Sequence, residues 1–117
     1  MAGEPIAVTN RFEFQQQVLK SGDPVAVNFT GANDRSKKLD RTFAALAREY
    51  AGRVKFVTVD TTLSDLLVVD YVVKPENTPT VILFLSGQPL KRWGNEQNPQ
   101  AYRDAFEDVL ALVWGRR

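Results

Sequence analysis

The chain has 117 residues, of which 44% are hydrophobic and 25% are charged, and its 15 basic and 14 acidic side chains give a formal net charge of +1. This balance is ordinary for a globular protein, and the length predicts a single domain over residues 1–117. So small a net charge provides no field that would gather nucleic acid or an anionic membrane, and we expect neither as a partner.

The sequence contains no cysteine and no histidine. It therefore excludes disulfides and thiolate nucleophiles, and it lacks the commonest general base and metal ligand. We expect no enzyme activity, no bound metal and no cofactor. The first residues lack the basic and apolar regions of a secretory signal, and no apolar run approaches the roughly 20 residues that span a bilayer as a helix. A cytoplasmic location is the resulting expectation.

The first elements are a short apolar strand, Ile6–Val8, and a helix over residues 11–20. Either Thr9 or Asn10 could accept a hydrogen bond from a free N–H group at the helix start, and Glu13 follows Asn10 at the spacing of a capping box. Pro24 lies beyond the predicted end of the helix, because proline cannot continue the hydrogen-bond ladder.

Residues 25–29 are apolar, too short for a helix and bounded by turn signals, which predicts a central strand. The following helix runs to Gly52, and Asn33, Asp34 and Ser36 are candidate caps for its start. Residues 53–59 alternate apolar and polar side chains and predict another strand. The apolar stripe of the intervening helix consists of Leu39, Phe43, Leu46, Ala47 and Tyr50.

A shorter helix through residues 66–70 precedes an apolar strand, Thr80–Leu85. A tight turn then leads to an antiparallel strand over residues 90–93, and Pro99 opens the last helix. The element order is β-α-β-α-β-α-β-β-α. This order predicts an α/β fold whose central mixed sheet has helices on both faces.

Four short motifs recur here in the order found in the thioredoxin family: Val25-Ala-Val-Asn-Phe29, Thr78-Pro-Thr80, Ser86-Gly-Gln88 and Lys91-Arg-Trp-Gly94. They resemble, respectively, that family's strand before the active site, its cis-proline signature, its hairpin turn and the segment whose glycine lines the substrate groove. The resemblance extends over residues 5 to 114 and implies the thioredoxin fold.

The departures from the family fall on its reactive residues. Aligning the strand ends places Asn33, Asp34, Arg35 and Ser36 about where Cys-Gly-Pro-Cys would stand, with one residue fewer in the preceding turn. Asn28 replaces the family's buried acid. Attack on a disulfide needs a thiolate, which neither an amide nor an alcohol supplies near neutral pH. The resemblance therefore implies a redox-inactive member of the family.

Pro79 corresponds to the family's cis-proline, whose preceding residue turns its backbone N–H and C=O toward an extended substrate chain. One interpretation is that this groove still binds a protein partner or an extended peptide, in the manner of an adaptor, an assembly factor or a holdase-like protein. The other is that the proline only shapes the loop. The residues predicted to contact a partner are Thr30, Asn77, Thr78, Pro79, Trp93, Gly94 and Asn95.

Two further alternatives stay open. The groove could bind glutathione or a related small molecule through the Thr78 backbone, as in thioredoxin-fold transferases. Trp93 could be an exposed anchor for a partner, because aromatic residues are enriched in interface hot spots, or it could belong to the core. The partner's identity and the oligomeric state are also left open.

Three other patterns favour ordinary structural roles. Arg35, Lys37 and Lys38 near a helix start could attract an anion, but charged runs on helices are usually solvated. Ser36 and Lys37 are adjacent on a helix, so their side chains point about 100° apart and form no nucleophilic pair. Asp60 lacks a second carboxylate at metal-site spacing and is predicted to cap the helix that follows it.

Overall fold

The computed structural model of the chain describes residues 3–114. Its elements follow the predicted order, with small shifts at their ends. The strands and helices are β1 Ile6–Val8, α1 Arg11–Phe14, β2 Val25–Thr30, α2 Asp34–Glu49, β3 Lys55–Asp60, α3 Asp65–Asp70, β4 Thr80–Leu85, β5 Gln88–Gly94 and α4 Pro99–Trp114.

The strands form one sheet in the order β1-β3-β2-β4-β5. β1, β3 and β2 are parallel, whereas β4 and β5 are antiparallel to their neighbours, so the predicted mixed sheet is confirmed. Thr30 pairs with Asp60, and Phe29 pairs with Thr80. This register brings the carboxyl ends of β2 and β3 to the same edge of the sheet as the beginning of β4.

β2 is buried along its whole length, and its side chains alternate between two cores. One core lies between the sheet and the layer formed by α1 and α3, and the other lies between the sheet and the layer formed by α2 and α4. Val25, Val27 and Phe29 belong to the first core, with Phe14 and Leu67. Ala26 belongs to the second core, with Leu39, Phe43, Tyr102 and Phe106.

The start of α1 is capped by Asn10 and Glu13, but the carboxylate of Glu13 accepts from the N–H of the residue before the N-cap and not from that of the N-cap itself. The Asn10 side chain accepts a hydrogen bond from the Glu13 N–H at 2.8 Å, and the Glu13 carboxylate accepts one from the Thr9 N–H at 3.0 Å. The bonds from Thr9 hold the pKa of the Glu13 carboxyl below its ordinary value. Beyond Phe14 the helix widens into a π-helical turn over Gln15–Leu19, where the sequence predicted regular α-helix.

α2 and α4 are the longest helices, and a hydrogen bond joins them at the edge of their shared core. The Tyr50 hydroxyl donates to the Glu107 carboxylate at 2.7 Å. Burial, reinforced by this carboxylate, raises the pKa of Tyr50 to about 12. Within residues 3–114, no helix combines the length and the apolarity needed to cross a bilayer.

The end of α3 is a Schellman motif, in which the Val73 N–H donates to the Val68 carbonyl at 3.0 Å. The residue in the left-handed position of this motif is Val72, with φ +53°. Glycine is usual there, because a β-branched side chain is strained at positive φ. The Arg92 guanidinium donates to the Val72 carbonyl at 2.7 Å and so ties β5 to this turn.

Replacing Val72 with glycine is expected to raise the free energy of unfolding by about 1 kcal/mol, because relief of the strained φ outweighs the added freedom of the unfolded chain. Urea denaturation at one fixed protein concentration measures the change. Val73→Gly is the matched control and should be destabilising, since Val73 is buried. A lower stability for Val72→Gly would show that the turn is not strained.

Candidate functional site

The candidate site lies at the carboxyl ends of the two central parallel strands, where ligands commonly bind in open α/β sheets. Thr61, just after β3, donates from both its N–H and its hydroxyl to the Thr30 carbonyl at the end of β2, each at 2.9 Å. The loop before β4 faces them and contains one turn of 3-10 helix, Pro75–Asn77. Three separate segments of the chain therefore meet at this corner.

Asn33 connects two of these segments. It is the N-cap of α2, and its side-chain oxygen accepts a hydrogen bond from the Ser36 N–H at 2.8 Å. Its side-chain Nδ2 donates to the carbonyl and to the hydroxyl of Thr78, both at 3.0 Å. A single carboxamide thus caps the start of α2 and holds the loop before β4 against it.

The polar groups of Thr78 are all engaged within the chain. Thr78 is 2% exposed, and the Thr78–Pro79 peptide bond is cis. Its N–H and its hydroxyl both donate to the Pro75 carbonyl, at 3.3 and 2.8 Å, and its carbonyl accepts from Asn33. An extended chain that paired with Thr78 would first have to displace these bonds.

Ser36 and Gly31 pack beside the contact between Asn33 and Thr78, which we call the Asn33–Thr78 joint. Ser36 is fully buried, and its Oγ accepts a hydrogen bond from the Gly31 N–H at 2.9 Å. A Cβ at residue 31 would lie 2.5 Å from the Thr78 hydroxyl oxygen, so only glycine allows this close approach. Lys37 is exposed while Ser36 is buried, which excludes the paired arrangement that a Ser–Lys nucleophile requires.

Asn28 is fully buried on the α2 side of the sheet. Its Nδ2 donates to Asp40 Oδ1 at 2.9 Å, and the Thr30 hydroxyl donates to the same oxygen at 2.8 Å. Among the residues described, Asn28 Oδ1 has no hydrogen-bond partner. The sequence did not predict that Asp40 accepts these hydrogen bonds. Its position directly after Leu39 places it at the margin of the buried face of α2.

An open cleft of about 430 Å³ lies next to the joint. Its floor and walls include the apolar side chains of Val68, Val73 and Pro75. Sequence reasoning missed the contribution of α3 to this cleft, because periodicity does not show which loop a short helix faces. The remaining lining residues are Gly31, Ala32, Asn33, Thr61, Thr62 and Thr78.

The residues predicted to contact a partner fall into two groups. Asn77, Gly94 and Asn95 are exposed, whereas Thr30, Thr78, Pro79 and Trp93 are buried. Trp93 is 8% exposed and packs edge-on against Tyr102, with ring centroids 5.1 Å apart. Trp93 therefore belongs to the core and is not an exposed anchor for a partner. Burial also raises the pKa of Tyr102.

The remaining predicted residues have local roles. Arg35, Lys37 and Lys38 are exposed, and Lys38 lies 3.7 Å from the Glu96 carboxylate.

The prediction that Asp60 caps a helix was wrong. Its carboxylate accepts from the N–H and hydroxyl of Thr62, so it holds a turn, and Ser64 is the N-cap residue of α3. No group of three or more potential metal-ligating side chains occurs in residues 3–114.

Comparison with protein-family profiles matches residues 5–108 to the family described as thioredoxin. Thioredoxin C-2 of Corynebacterium nephridii is 34% identical over 84 residues, which is 71% of this chain and 76% of that protein. Thioredoxin from Trypanosoma brucei brucei has a similar structure, with a TM-score of 0.83 at 22% identity over 94% of each chain. For a mutant thioredoxin from Halobacterium salinarum NRC-1, the TM-score is 0.81 at 22% identity, covering 92% of this chain and 91% of that one.

Removing the Asn33 side chain should cost about 2 kcal/mol, because the helix loses its cap and the Thr78 carbonyl loses its donor. Serine caps a helix about as well as asparagine but is too short to reach Thr78. We therefore expect Asn33→Ser to cost about half as much as Asn33→Ala in chemical denaturation. Equal losses in the two variants would mean that the bond to Thr78 contributes nothing.

Placing cysteines at both positions 33 and 36 should create a reactive pair, because the N-terminus of α2 lowers the pKa of a thiol at its first turn. The expected result is catalysis of the reduction of a protein disulfide by dithiothreitol. Each single substitution serves as a control and should remain inactive. An inactive double variant whose two cysteines never form a disulfide would show that positions 33 and 36 do not correspond to the family's reactive pair.

Proposed function

This chain belongs to the thioredoxin family, and because its sequence contains no cysteine, we propose that it is a non-catalytic module that binds a protein partner. Thiol–disulfide exchange through a CxxC motif is excluded, since no thiolate can form. The family's reactive corner would then serve as a recognition surface. Roles as an adaptor, an assembly factor or a holdase-like protein are all forms of this proposal.

The observation that carries the proposal is the cleft beside the Asn33–Thr78 joint. Its volume of about 430 Å³ is in the range of ligand sites, and Val68, Val73 and Pro75 give it an apolar lining. The side chain of Asn33 and the polar groups of Thr78, which line it, are already hydrogen-bonded within the chain. A partner that inserts an apolar side chain would therefore gain burial without leaving the Asn33 side chain or Thr78 unpaired.

The internal bonds of Thr78 affect how a partner can bind. Addition of an extended strand needs a free N–H and C=O, but those of Thr78 are engaged with Pro75 and Asn33. Recognition through side chains in the cleft is therefore better supported than strand addition. The same bonds weaken the case for the alternative, a glutathione-type ligand held by the Thr78 backbone.

The partner-contact residues predicted from the sequence divide between two roles in this proposal. Asn77, Gly94 and Asn95 are exposed and are available for direct contact. Thr78 and Trp93 are buried, so they support the surface from below. Substitutions at these two positions would perturb the fold as well as binding, and exposed residues of the cleft are better test positions.

Ala32 is exposed and lines the cleft, so Ala32→Trp should fill the cleft and leave the core intact. Ala111→Trp, at an exposed position of α4, is the matched control. Quantitative affinity capture from a lysate of the source organism would compare both variants with the unmodified chain. We expect a specific partner to be retained by Ala111→Trp and reduced at least about tenfold by Ala32→Trp.

Capture of the same proteins by all three chains would contradict a binding role for the cleft. Calorimetric titration with glutathione tests the alternative function on the same preparations. Heat of binding that disappears in Ala32→Trp would favour the small-molecule role over a protein partner.

A further inference from the structure

Arg92 connects the edge strand β5 to the end of α3. In the pairing of β4 with β5, Arg92 lies opposite Ile82, which belongs to the core between the sheet and the layer of α1 and α3. Its neighbour Lys91 lies opposite Leu83, which belongs to the other core. Successive side chains of a strand point to opposite faces of the sheet, so Arg92 is directed toward α3 and Lys91 away from it.

The Arg92 guanidinium bonds two successive backbone carbonyls. It donates to the carbonyl of Tyr71 and, at 2.7 Å, to the carbonyl of Val72. None of the ion pairs formed within residues 3–114 includes Arg92. Its planar, forked donors are instead directed to the last carbonyls of a helix, which cations commonly satisfy.

These two carbonyls belong to the two peptide groups on either side of the Val72 Cα. Holding both groups fixes the rotations about that atom, which are the φ and ψ of Val72. The constraint matters at this residue, because a β-branched side chain at φ +53° is strained and would otherwise relax to negative φ. One exposed side chain on β5 therefore opposes the relaxation of this turn.

The conformation of Val72 determines where the next residue lies. The Val73 N–H donates to the Val68 carbonyl at 3.0 Å, and the Val73 side chain is 2% exposed. Val68 and Val73 both line the cleft beside the Asn33–Thr78 joint, whereas Arg92 does not. Relaxation of Val72 would break the bond between these two valines and move part of the apolar wall of the cleft.

We infer that Arg92 is a positioning residue for the cleft, which acts by holding Val72 at positive φ and so keeps Val73 in the cleft wall. The inference rests on the proposed function, since the cleft is the binding site there. It adds a residue on a different strand, outside the cleft, on which binding depends.

Amide hydrogen exchange followed by NMR tests the positioning role without a partner. In Arg92→Gln, exchange of the Val73 amide should accelerate about tenfold more than exchange of the Val57 amide on the central strand β3. Lys91→Gln is the matched control, because it removes the same charge from the other face of β5, and it should leave the Val73 rate unchanged. Equal acceleration at Val73 and Val57 would overturn the inference, since it would mean that Arg92 contributes only to global stability.

Relief of the strain provides a second test. Glycine adopts positive φ without help, so in a Val72→Gly background Arg92→Gln should accelerate exchange at residue 73 less than about threefold. The same acceleration in both backgrounds would overturn the inference, because Arg92 would then not act through the φ of residue 72.

Affinity capture links the turn to binding. A partner that Ala32→Trp loses should also bind Arg92→Gln about tenfold more weakly, and adding Val72→Gly to Arg92→Gln should restore it. If Ala32→Trp loses no partner while Val73 exchange behaves as expected, the proposed function fails and Arg92 still holds the turn. If Ala32→Trp loses a partner that Arg92→Gln retains in full, the inference fails and the proposed function stands.

Discussion

The corner of this molecule depends on one side chain, the carboxamide of Asn33. Its oxygen caps α2, and its nitrogen holds the carbonyl and hydroxyl of Thr78. An amide can do both because it carries an acceptor and two donors on the same planar group. The loop before β4 is therefore positioned by the start of α2, and the shape of the adjacent cleft follows from that contact.

The polar groups at this corner hold the structure together and are not arranged for thiol chemistry. Ser36 is fully buried and bonded to the Gly31 N–H, and Asn28 cannot titrate. The carboxylate of Asp40 accepts hydrogen bonds from Asn28 and from Thr30. A redox site needs groups that can give up protons or electrons. Here the equivalent groups are amides and alcohols, most of them held in hydrogen bonds within the chain.

The surface of this molecule that a partner could bury is instead apolar. The cleft has valine and proline walls, and around α3 the side chains of Leu63, Leu66, Val69 and Val72 are exposed. Burial of such surface is the main driving force of protein association, whereas paired polar groups add little to it. The proposed function therefore places recognition on side chains in and beside α3.

The sequence by itself determined the chemistry that is absent, the order of the elements and the local caps, because these depend on residue type and short-range periodicity. Asn10 and Asn33, each one of several cap candidates in the sequence, are the residues that cap α1 and α2. Only the tertiary structure decided that Trp93 is buried and that Asn33 reaches Thr78, 45 residues away along the chain. Such contacts depend on strand register and on the packing of helices against the sheet, and local patterns carry no information on either. For the same reason, the spacing of Leu66 and Val69 indicated a helix but not that these side chains would remain in solvent.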